Sequence, residues 1–203
     1  MKETCMMNKK KKFYGVRRHF LQAAGAGLIA CGLKIGNVAG ASKNKTKFKV
    51  LDKDDRFDIG DRGKDIIQKA HDLGFEYEKE HGGCARCTVA SLQDAIGFIP
   101  EDEGLFRTAS CLDGGATSTK VANCGAFTGA GMVIGWICGT GRFGDNTLSH
   151  ELIHKVHKRF EDDYGSVVCR EVREIAQGNC PEVVARASQW TTEILLDQFT
   201  NYK

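Results

Sequence analysis

Nine cysteines in 203 residues are the groups of this chain with the most chemistry in them. Seven lie beyond residue 41: Cys84, Cys87, Cys111, Cys124, Cys138, Cys169 and Cys180. An odd number cannot close completely into internal disulfides. Cys84 and Cys87 form a CxxC pair, a spacing suited to thiol–disulfide exchange or to metal. At the start of a helix either thiol would meet free backbone N–H groups, which favour the thiolate and lower its pKa. Cys124 and Cys138 stand about four helical turns apart, so they share a face yet cannot hold one metal together. Cys111 and Cys138 read as small buried residues rather than ligands.

A second pattern competes with the cysteines. His150-Glu151-Leu152-Ile153-His154 fits HExxH. On a helix the two histidines lie one turn apart, and Glu151 could act as general base on a zinc-bound water. His157 extends that face, and Glu171 or Glu174 could complete a zinc site. Lys155 fits this poorly, because a zinc peptidase usually keeps an uncharged residue after the second histidine. The plain reading is an exposed amphipathic helix carrying surface histidines.

These groups need elements to hold them, and the pattern is helical throughout. Asp61 to Glu80 places Ile66, Ile67, Ala70, Leu73 and Tyr77 at spacings of three and four. Cys84 to Phe98, Leu148 to Phe160, Ser166 to Ala176 and Pro181 to Phe199 read as further helices, with Pro181 suited to a first turn. Val121 to Cys138 is apolar almost all round and rich in Gly and Ala, which predicts a buried central helix. Turns such as LDGGATST and CGTGRFGDN separate them. No alternating strand pattern persists, so the expected fold is all-α: one compact multi-helix domain over residues 60–203, behind a polar linker at 42–59.

The first 41 residues read as an address. Arg17-Arg18-His19-Phe20-Leu21 resembles the twin-arginine export signal, and the apolar run to Leu33 is too short to span a membrane comfortably. Leu28-Ile29-Ala30-Cys31 looks like a lipobox, which would acylate Cys31 and give a lipid anchor. Ala39-Gly40-Ala41 offers an ordinary cleavage site instead. The twin-arginine route carries folded proteins, often with a cofactor already inserted, so the resemblance implies a periplasmic or membrane-anchored protein. It also accounts for the charge. Residues 1–41 hold eight Lys/Arg and one acid, and the rest of the chain carries an acidic excess of four. Nucleic acid is not an expected partner.

GGCA at 82–85, CGAFTG at 124–129, YGSVVCREV at 164–172 and Cys180 opening the last helix follow a single order. Together they resemble the redox-active family named for its C–GCAxxG–C–C cysteines, over roughly Ile66 to Leu196. The resemblance assigns Cys84, Cys124, Cys169 and Cys180 to the four family positions, with Cys87 a further candidate ligand, and implies electron transfer with a redox partner protein. Gly125, Ala126 and Gly129 would let the backbone come close to the centre, so Gly125 and Gly129 join the cofactor-binding candidates. Free N–H donors around Cys124 would tune a cluster's potential. Four such thiolates suit an iron–sulfur cluster, another cysteine-bound metal such as zinc, or exchanging disulfides. The same cysteine pattern occurs in the split-Soret type of cytochrome c, an exported dimer with haem and a further iron centre, which implies a homodimer. Covalent c-type haem is not expected, because it needs CxxCH and Thr88 follows Cys87.

Overall fold

The computed structural model describes residues 49–116 and 118–203. The twin-arginine stretch, Cys31, the Ala39–Ala41 site and the linker up to residue 48 lie outside the described residues. Within them the chain is helical, as the periodicity predicts. The helices are α1 (Gly63–His81), α2 (Cys84–Ala95), α3 (Glu103–Ala109), α5 (Gly125–Cys138), α6 (Thr147–Tyr164), α7 (Cys169–Ile175) and α8 (Cys180–Phe199). A single turn, α4 (Asp113–Ala116), carries Gly114 and Gly115 at φ of 58° and 63°. Extended pairing among the described residues is limited to two isolated bridges, Phe57 with Thr200 and Asn123 with Val168.

α1, α2, α5 and α8 build the core around Leu92, Ile96, Ile134, Ile137, Leu195 and Phe199, all fully buried. Each such side chain contributes on the order of 1.5–3 kcal/mol by leaving water. α1 lies close along α8 because Gly74 has no side chain. A Cβ there would stand 2.8 Å from Ser188 Oγ and 3.1 Å from the Ala185 Cα. α2 meets α8 through a buried Ser91–Ser188 hydroxyl pair at 2.7 Å. Ahead of α1, Leu51 is buried and donates its N–H to Ile137 O, while Phe57 stacks on Phe98. None of the described helices is long and apolar enough to cross a membrane.

Several boundaries differ from expectation, among them the end of α6, at Tyr164 and not Phe160, and the start of α7, at Cys169 and not Ser166. α5 starts at Gly125, not Val121, because the Asn123–Val168 bridge holds the preceding residues extended and leaves Val121 66% exposed. α5 is also buried on one face, through Gly125, Ala126, Gly129, Ala130, Val133, Ile134, Ile137 and Cys138, whereas Phe127, Met132 and Trp136 are partly exposed. α2 stops at Ala95, where Ile96 turns extended. α3 was not expected. Seven residues including Gly104 are too few for a periodicity, but Asp102 caps it by accepting the Leu105 N–H at 2.6 Å.

Candidate functional site

The four family cysteines come from four different elements and line one cavity of about 240 Å³. Each stands at the beginning of a helix. Cys84 opens α2, Cys124 caps α5, Cys169 opens α7 and Cys180 opens α8. Four helix N-termini therefore converge on a single space, where their free N–H groups favour negative charge. The Gly114 N–H near Cys84, and the Ala126 and Phe127 N–H groups near Cys124, favour the thiolate and lower these pKa values. The Arg173 guanidinium donates to Cys180 Sγ at 3.6 Å.

The local sequence explains this assembly. A Cβ on Gly125 would collide with Cys84 Sγ, and one on Gly129 would lie 2.5 Å from Ala85 O. The CGAxxG glycines thus set the spacing of α5 from α2 and bring Cys124 beside Cys84, while neither glycine lines the cavity itself. Asp113 reaches across from α4 and accepts the Ala85 N–H at 2.7 Å, capping α2 from outside. Cys169 is placed by its N–H to Ala122 O and by Gly115, where a Cβ would stand 2.6 Å from the Cys169 Cβ. Asn179 and Pro181 start α8 at Cys180.

Ionisation runs opposite to the expectation for helix-start thiols. Burial pushes Cys84 up to about 11, and also raises Cys124, Cys169 and Cys180. The sulfurs add to this by repelling one another, Cys180 acting on Cys84, and Cys84 on Cys124. Loss of water outweighs the N–H donors, so the free thiols stay protonated at neutral pH. A bound cation reverses that balance, since a coordinating thiol gives up its proton.

The remaining candidates lie elsewhere. Cys87 faces away from this cavity into a second one, of about 590 Å³, beside Tyr77, Arg86 and Asp94. Its Sγ donates to Gly82 O at 3.3 Å, and burial pushes the thiol up to about 12. The CxxC pair is therefore divided between two spaces, and both thiols are free. Cys138 is buried, its Sγ on Ile134 O. Cys111 is exposed instead of buried, because it follows the short α3 at the surface. His150, Glu151 and His154 lie on the exposed face of α6. His150 is met by Asn146 and His157 by Glu161, while Glu171 accepts from Ser166. Among the described residues no three His, Cys, Asp or Glu groups close on a point that one ion could occupy.

Glu78, Asp113, Lys120 and Arg173 also line the four-cysteine cavity and were not singled out from sequence. On an amphipathic helix Glu78 looks like any surface acid. The DGG of Asp113–Gly115 was visible only as a turn.

The family described as "Putative redox-active protein (C_GCAxxG_C_C)" matches residues 83–194, a span containing all four cavity cysteines. No curated protein and no solved structure matches the chain.

Proposed function

Because the chain belongs to the redox-active C_GCAxxG_C_C family, we propose that its four-cysteine cavity holds an iron–sulfur cluster and that the protein transfers electrons outside the cytoplasm. One observation carries the reading: four thiols from four helix starts line a single cavity. Four thiolates drawn from four separate elements are a donor set suited to a cluster of several irons, and the spacing lacks the two tight CxxC pairs of a zinc ribbon. The cluster would supply one-electron exchange. The protein's part is to hold it and set its potential. The Arg173 guanidinium donates to Cys180 Sγ, and N–H groups of Gly114, Ala126 and Phe127 lie near Cys84 and Cys124, where they would stabilise the more negative, reduced form. Transport of an already folded, loaded protein is the reading of the twin-arginine-like Arg17-Arg18, with Cys31 as the lipid-anchor site.

Anaerobic purification followed by visible spectroscopy and iron, sulfide, zinc and thiol analysis tests this. Broad visible absorption with iron and labile sulfide is expected, and Cys124→Ser should abolish it. A colourless, metal-free protein with a reducible disulfide would sink the proposal, as would zinc without iron.

A further inference from the structure

One wall of the cavity contains a group that folding alone does not explain. Glu78 stands in the last turn of α1 and lines the space faced by Cys84, Cys124, Cys169 and Cys180. Its Oε2 is shielded from solvent and has no hydrogen-bond partner. Three penalties fall on this carboxylate together. It is withdrawn from water, it occupies the negative end of a helix, and Asp113 adds a like charge nearby. The Cys87 thiol and the Arg86 charge oppose these penalties without cancelling the loss of water. The Cys87 thiol offers a hydrogen bond to the carboxylate but also stands 3.3 Å from Gly82 O. The Arg86 guanidinium is committed to Gly82 O and His81 O.

A half-buried acid with one oxygen shielded and unpartnered ordinarily costs stability, and a neutral side chain of similar volume would fill the same wall without that cost. What satisfies such an oxygen is a cation. We infer that Glu78 is a fifth donor of the centre, its carboxylate oxygen ligating one metal beside the four cysteine thiolates. This rests on the cluster reading and extends it: the site is a mixed sulfur–oxygen donor set. A hard oxygen among soft thiolates makes one metal electronically different from the rest. Binding there replaces the missing hydrogen bond and cancels the charge that α1 and Asp113 oppose. Cys87 then acts on the outer side of Glu78, fixing the orientation of the carboxylate from the second cavity.

The test uses the full chain, reconstituted anaerobically with ⁵⁷Fe and sulfide, as wild type and as Glu78→Gln and Glu78→Ala. Helical circular dichroism of the metal-free variants reports folding, and Glu78→Gln keeps the shape of the side chain. Mössbauer spectra of the wild type should contain an iron site with oxygen in its coordination, distinct from all-sulfur sites. Both variants should lose that signal while keeping sulfide-bridged iron, and should release iron to a chelator about tenfold faster or more. A wild-type cluster with all-sulfur irons alone, or a folded Glu78→Gln spectrum identical to wild type, overturns the ligand and leaves the cluster standing. A wild type that takes up no iron and sulfide sinks the cluster reading itself, and the ligand with it.

Discussion

At the scale of single residues, burial decides what the thiols do. A cysteine at a helix start is expected to ionise early, and four of them here occupy that position. Their pKa values nevertheless rise, because each sulfur has lost its water, with other sulfurs adding to the rise at Cys84, Cys124 and Cys169 and Glu78 at Cys180. In the metal-free protein these are therefore poor nucleophiles, reactive only after a metal or local opening removes the proton. Cys111 differs by lying at the surface. Brief alkylation of the folded, metal-free protein near pH 8 should label Cys111 first, with Cys84, Cys87, Cys124 and Cys138 reacting only when the chain is unfolded. Peptide mass spectrometry gives the order. Rapid labelling of Cys84 or Cys87 would restore the view that the CxxC pair is an exposed redox couple.

At the scale of elements, the site depends on how close α5 comes to α2. Gly129 and Gly135 lie on the same helix and should respond to alanine with opposite signs. A Cβ at Gly129 meets Ala85 O at 2.5 Å and Thr88 Cβ at 3.0 Å, so Gly129→Ala must push the helices apart. A loss of about 1–3 kcal/mol is expected, with weaker iron retention because Cys84 and Cys124 separate. At Gly135 nothing stands within 4 Å, and alanine should stabilise the helix by about 0.5–1 kcal/mol. Urea unfolding of the metal-free variants measures both. This contrast also marks how far the sequence could be read. The 3.6-residue period gave the long helices, and the order of Cys84, Cys124, Cys169 and Cys180 picked out the four thiols that line one cavity. What periodicity could not carry is long-range: the bridge that delays α5 to Gly125, the Asp113 cap on α2 from twenty-eight residues away, and Glu78 turned inward from an ordinary amphipathic helix. The pKa direction failed for the same reason, since desolvation depends on neighbours brought in by the whole fold.

At the scale of the whole molecule, the buried acids make the stability of the metal-free protein depend on pH in two steps. Glu78 is raised from an ordinary value near 4.5 to about 7. A raised acid favours the fold while protonated, so this stabilisation is complete below about pH 4.5 and is lost as pH climbs through 7. The thiols repeat the pattern higher up. Cys84 and Cys138 move from 9 to about 11 and Cys87 to about 12, so the fold should weaken again as pH rises from 9 through 11. Thermal melts of the metal-free protein should therefore fall between pH 5 and 8, stay level near 8–9, and fall once more above it. Glu78→Gln should remove the first step and leave the second. Loading iron should abolish the first step too, because the metal takes the place of the proton on each donor, and it should raise the melting temperature at pH 8 in proportion to how tightly it binds. The same protein would then prefer acid when empty and neutral pH when filled. If the metal-free melting temperature is flat from pH 5 to 8, Glu78 is not the desolvated acid on which the cavity's balance of charge turns.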